Sequence, residues 1–159
     1  MTLIAGMGNI FLGDDGFGAE VARRLHEHPL PEDVRVADFG LRGFDLACAL
    51  MDGYETVILV DATQRGGPPG TIYVIEHDGQ EPDLDPVPEI DGHAMTPDAV
   101  FRLVKIMGGS LPKTIIVGCE PKWLGGDGGE MGLSDAVQAA VTTAVGCIEE
   151  LLSAAKGTN

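Results

Sequence analysis

Three carboxylates stand just past the ends of three apolar, β-branched runs: Asp15 after Thr2-Leu3-Ile4-Ala5-Gly6, Asp38 after Val34-Arg35-Val36-Ala37, and Asp61 after Thr56-Val57-Ile58-Leu59-Val60. If those runs are parallel strands of one sheet, their carboxyl ends form a single rim, which is where open α/β sheets bind ligands. His93 lies in a long loop further on and could fold back over that rim. Each residue has a plainer reading. Asp14 and Asp15 could cap a helix or complement its dipole, and Asp38 and Asp61 could be turn acids. The set argues for more. Three acids converging without a basic partner repel one another unless they bind a cation or hold a proton. Oxygen donors with one imidazole and no thiolate suit a borderline divalent ion such as nickel, zinc or manganese.

Other chemistries lack their residues. There is no HExxH, no G-x-S-x-G elbow and no CxxC pair. Cys48, Cys119 and Cys147 are odd in number, far apart and set in apolar surroundings, which fits a reducing cytosol rather than a disulfide framework. Gly6-Met7-Gly8-Asn9 hints at a phosphate loop, but the GK[ST] of a P-loop is missing and the third Rossmann glycine would fall at Phe11. Asp14 and Asp15 would also repel phosphate there.

The elements that must position these acids follow from periodicity. Phe17, Val21 and Leu25 recur at helical spacing and predict a helix over about 16–28. A short helix is expected over 44–51, a fourth strand over 71–75 after the turn Arg65-Gly66-Gly67-Pro68-Pro69-Gly70, and a long loop over 77–95. Thr96 reads as an N-cap with Pro97 at the first helical position, followed by Val100, Leu103, Val104 and Met107. Residues 113–118 read as a fifth strand, and Ser134 as the cap of a last helix with the stripe Val137, Val141, Ala144, Ile148, Leu151 and Ala155. Strands alternating with helices predict an α/β fold, a three-layer α/β/α sandwich around a mainly parallel five-stranded sheet. The stretch 56–75 is too short for a crossover helix, so a hairpin of strands three and four, and hence a mixed sheet, is expected.

The chain has 159 residues, and one domain over 1–155 with a frayed tail at 156–159 is the simplest division. Ten basic against 25 acidic side chains give a net charge of −15, which disfavours nucleic acid and anionic membrane surfaces as partners. Nothing approaches the roughly 18 consecutive apolar residues of a membrane span. Glycine fills 23 positions, about twice the usual share, clustered at the ends of apolar runs.

The run Gly6-Met7-Gly8-Asn9-Ile10-Phe11-Leu12-Gly13-Asp14-Asp15-Gly16-Phe17-Gly18 resembles the N-terminal signature of the nickel–iron hydrogenase maturation proteases. That signature reads G-x-G-N, four residues, Asp-Asp or Asp-Glu, Gly, x, Gly. The likeness continues through Leu59-Val60-Asp61-Ala62, Pro69-Gly70, His93, Gly118 and Pro121. The resemblance implies a cytoplasmic endopeptidase that removes a short C-terminal extension from a hydrogenase large-subunit precursor after nickel insertion. It implies no organic cofactor, the nickel being contributed by the precursor. The family's metal-contacting acids fall on Asp15 and Asp61 and its histidine on His93, and an aspartate implicated in activity falls on Asp38. Where the family often reads D-G-G or D-G-C, this chain has Asp38-Phe39-Gly40. Arg42, just beyond, is a candidate contact for the substrate's chain end or its acids, against the plainer reading of a solvated arginine. Two other classes fit parts of the pattern. One is a non-catalytic nickel-sensing chaperone or assembly scaffold. The other is a receiver-like phosphate acceptor, which fits poorly because Gly118-Cys119-Glu120-Pro121 stands where such domains need a lysine.

Overall fold

A computed structural model describes residues 1–77, 95–125 and 131–157. In chain order they form β1 (Thr2–Met7), a 3-10 turn (Gly13–Gly16), α1 (Phe17–His26), β2 (Val34–Gly40), α2 (Gly43–Leu50), β3 (Thr56–Ala62), β4 (Ile72–His77), α3 (Pro97–Ile106), β5 (Lys113–Cys119) and α4 (Asp135–Lys156). The strands make one sheet in the order β2-β1-β3-β5-β4. β1 pairs with β2 and β3, and β3 with β5, all parallel, while β4 runs antiparallel to β5.

β1 and β3 are central and covered on both faces, which is why they read as unbroken apolar runs. Ile4, Ile58 and Val60 point to one side and pack with α1 and α4 through Phe17, Val21, Leu25, Val141 and Ile148. Leu3, Val57 and Leu59 point to the other and pack with α2 and α3 through Leu46, Leu50, Val100 and Val104. The three-layer α/β/α sandwich and the mixed sheet are as expected.

The hairpin is not. β4 does not pair with β3, because β5 occupies the slot between them. The link from β3 stays at one end of the sheet and is laid across the end of β5. Thr63 N–H donates to the Cys119 carbonyl and Gly70 N–H to that of Glu120, each at 2.8 Å. The Glu120 carboxylate holds the same link from beneath, accepting from Arg65 N–H at 2.7 Å, Gly66 N–H at 3.0 Å and the Tyr73 hydroxyl at 3.0 Å. The backbone bond from Arg65, with these others, keeps the Glu120 carboxyl below its usual range.

Two glycines bring α1 close. A side chain on Gly18 would overlap the carbonyl oxygens of Met7 and Val60, and one on Gly6 would stand 2.6 Å from the Gly18 oxygen. Backbone therefore packs on backbone where the helix crosses β1 and β3. The cap of α3 is as expected, with Thr96 Oγ1 accepting from Ala99 N–H at 3.3 Å. Ser134 occupies the N-cap position of α4 but makes no capping bond, because its hydroxyl donates to Asp14 instead. No helix among the described residues is long and apolar enough to cross a membrane.

Candidate active site

Parallel pairing carries the ends of β1, β3 and β5 to one rim. The first turn after β1 begins with Gly8, whose N–H donates to the Gly40 carbonyl at 3.0 Å and so ties the turn to the end of β2. Gly8 has φ of 114° and no room for a side chain, since the Asp15 carbonyl lies against it. Asn9 N–H then donates to Asp15 Oδ2 at 2.8 Å. The G-N pair thus orients the carboxylate that follows six residues later.

Asp14 and Asp15 part company here. Asp14 is fully buried and accepts four hydrogen bonds: Lys122 N–H at 2.8 Å, Trp123 N–H at 3.3 Å, Ser134 N–H at 2.7 Å and the Ser134 hydroxyl at 2.8 Å. It is neither a simple cap nor a free acid. It binds the turn after β1 to the segment after β5.

Asp15 faces Asp61 across a cavity of about 620 Å³. The cavity opens at the rim and runs along the sheet face past Ile116 and Ile75 to His77, walled by the first turn of α3. Asp61 is the next-to-last residue of β3, level with Gly118 of β5, and is 4 % exposed. Its Oδ1 is the buried side-chain oxygen, among the described residues, that has no hydrogen-bond partner. Burial pushes its carboxyl well above the usual carboxylate range, and the charge of Asp15 adds to the effect, against one backbone bond from Ala62 N–H. Asp15 is raised too, by burial, with the Asn9 N–H opposing. A buried carboxylate with an orphaned oxygen, beside a second carboxylate, is stabilised by a proton or by a cation and by little else. Such a pair can take up a proton or grip a metal presented from outside.

The other predicted residues are placed as follows. Asp38 stands near the end of β2, exposed, with Oδ1 accepting from Gly40 N–H at 2.9 Å, and does not line the cavity. Arg42 is exposed and turned back on its own segment. It donates to the carbonyls of Phe39 at 3.2 Å and Asp38 at 2.8 Å, lies 3.6 Å from Asp45, and sits over the Phe39 ring. His93 lies outside the described residues, although Met95 and Thr96, just after it, line the cavity. Among the described residues no three His, Cys, Asp or Glu side chains are grouped to hold a metal. Cys119 is buried with its thiol pushed up to about 12 by burial, then by the charges of Asp14 and Glu120, so no thiolate is at hand.

The cavity also holds residues that spacing did not single out. His77 lines its far end, packed at a tilt of 56° against Phe101 with ring centroids 4.5 Å apart. Arg65 lines its wall, with its guanidinium 5.6 Å from the centre of the Tyr73 ring. A histidine ending an edge strand carries no sequence signal for this role.

Comparison with known proteins bears on this arrangement. Residues 19–151 match the family model of the hydrogenase maturation proteases, beginning just after the Gly6–Gly18 run. A putative hydrogenase maturation protease of Methanocaldococcus jannaschii is 35% identical over 149 residues, covering 90% of each chain. The hydrogenase 2 maturation peptidase of a Thaumarchaeota archaeon superposes with a TM-score of 0.70 at 29% identity, covering 95% of this chain and 97% of its own. The hydrogenase maturating endopeptidase HybD of Escherichia coli shares the fold, with a TM-score of 0.74 at 24% identity over 99% of this chain and 93% of its own.

Proposed function

Because this chain belongs to the hydrogenase maturation protease family, we propose that its cavity receives the C-terminal extension of a nickel-loaded large-subunit precursor and that Asp15 and Asp61 address the precursor's nickel. The nickel is part of the substrate and is brought by it. The observation that carries this reading is the orphaned Oδ1 of Asp61, buried in a carboxyl group that feels the charge of a second carboxylate, Asp15. A divalent ion would satisfy that oxygen and remove the repulsion between the two acids at once. Thiolates already hold such an ion in the precursor, and it accepts further oxygen or imidazole ligands. His93 is the proposed third contact.

Hydrolysis adds one water across the scissile amide. A carboxylate must take a proton from that water as its oxygen attacks the carbonyl carbon, and the departing nitrogen must gain a proton as the C–N bond breaks. Asp15, raised by burial, is suited to the exchange because a base works best with a pKa near the operating pH. Asp38, at the neighbouring strand end, is proposed to support it from the rim. The apolar floor of Ile75 and Ile116 offers room for side chains of the extension.

The test is the intact mass of a nickel-loaded precursor before and after incubation, beside a nickel-free precursor. Loss of a C-terminal peptide from the loaded sample alone is expected. Asp15→Ala, Asp61→Ala and His93→Ala should each fold and leave the loaded precursor uncut. Normal cutting by all three would defeat the site assignment. Nickel-dependent binding with no release of peptide would favour the assembly scaffold instead.

A further inference from the structure

We propose that a ring of exposed apolar side chains beside the cavity is the docking surface for the folded body of the large-subunit precursor. This rests on the proposed function and adds to it the residues that seize the partner. Ile10 and Phe11 stand on the turn after β1, Leu41 and Phe44 at the join of β2 and α2, and Trp123 and Met131 on the segment after β5. Phe11 and Phe44 are 61% and 62% exposed. Scattered exposed leucines mean little, but large apolar side chains gathered on one face mark an interaction site.

Hydrogen bonds join the three segments side by side. Gly8 N–H to the Gly40 carbonyl, at 3.0 Å, links the first to the second. Asp14 N–H to the Trp123 carbonyl, at 3.2 Å, links the first to the third, and the four bonds to the Asp14 carboxylate reinforce it. The patch is continuous with the cavity, because Leu12, next to Phe11, and Leu124, next to Trp123, line its mouth. A partner that delivers a peptide bond to Asp61 past Leu12 and Leu124 comes up against these side chains.

Charge argues against a second copy of this chain as the occupant. Two bodies of net charge −15 repel, whereas a different protein without that excess can seat an apolar face on these side chains. Aromatic anchors at the centre of an interface commonly carry most of its affinity.

The experiment compares Phe11→Ser/Phe44→Ser with Ile106→Ser. Ile106 is 74% exposed but ends α3, whose following segment leads to the start of β5, at the end of the sheet opposite the rim. Binding of nickel-loaded precursor is measured by interferometry in an Asp61→Ala background, and cleavage in the native background. The double variant should raise Kd and KM about tenfold or more at unchanged kcat, with Ile106→Ser at native values. Unchanged Kd and KM in the double variant would overturn the docking surface while leaving the protease reading intact. Weakened binding where the native chain cuts nothing would keep the surface and sink the protease reading. A native homodimer that the double variant disperses would assign the patch to self-association and overturn the proposal.

Discussion

Asp61→Asn should make the protein more stable and inactive. The native residue is 4 % exposed, with Oδ1 unpartnered and a second carboxylate nearby. In D61N the side-chain oxygen can keep the bond from Ala62 N–H, and the amide turns its N–H groups toward Asp15. The substitution removes an unsatisfied buried acceptor, which costs about 1–3 kcal/mol and more when charged. Some of that returns as the burial cost of the amide, so a net gain of about 2 kcal/mol at pH 7.5 is expected. For a chain of this length each kcal/mol moves Tm by about 2–4 °C, giving a rise of about 4–8 °C.

The pH dependence follows from the direction of the shift. Folding raises the Asp61 pKa, so the native state holds this proton more tightly than the unfolded chain. That contribution is fully present below the unfolded carboxylate pKa of about 3.9 and is lost as pH rises through the raised folded value. D61N has no such slope. Its advantage over the native chain should therefore be greatest near neutrality and shrink as pH falls toward 4. Calorimetric unfolding at pH 7.5, 6 and 4.5 measures this directly. A lower Tm for D61N at pH 7.5, or a gap unchanged at pH 4.5, would refute the orphaned-acid reasoning.

Asp14→Ala should cost at least about 3 kcal/mol, because it strands the N–H groups of Lys122, Trp123 and Ser134. Asp15→Asn should stay within about 1 kcal/mol of native while losing cleavage, and thermal unfolding with the mass assay separates the two. Gly18→Ala should cost more than about 3 kcal/mol, since the new methyl meets two backbone carbonyls that cannot move apart without separating α1 from the sheet. Urea unfolding reads that loss directly. Asp38→Asn keeps the acceptor for Gly40 N–H, so stability should hold within about 0.5 kcal/mol. Its cleavage rate should fall about a hundredfold if the acid handles a proton. A native rate would remove Asp38 from the machinery.

The parts of this molecule that were legible in the sequence are those governed by near neighbours. β3 reads plainly because both faces are buried, and that places Asp61 at a strand end. Thr96 and Pro97 begin α3 as capping chemistry requires. What escaped depends on groups far along the chain. The length of the β3–β4 link excludes a crossover helix but not a step across β5, and the carboxylate that holds the step, Glu120, lies 55 residues from Arg65. Ser134 has the position of a cap, yet its hydroxyl serves a buried carboxylate 120 residues away. The twin acids make the point sharpest. Asp14 and Asp15 share one turn and one side-chain type, and nothing local distinguishes them. Asp14 meets four donors drawn from the segment after β5, so its charge is satisfied and its role is to hold that segment. Asp15 meets one donor, Asn9, and faces another acid, so it is left to seek a proton or a cation. The resemblance singled out Asp15, and the supply of distant N–H groups gives the physical reason that Asp14 is the structural acid of the two.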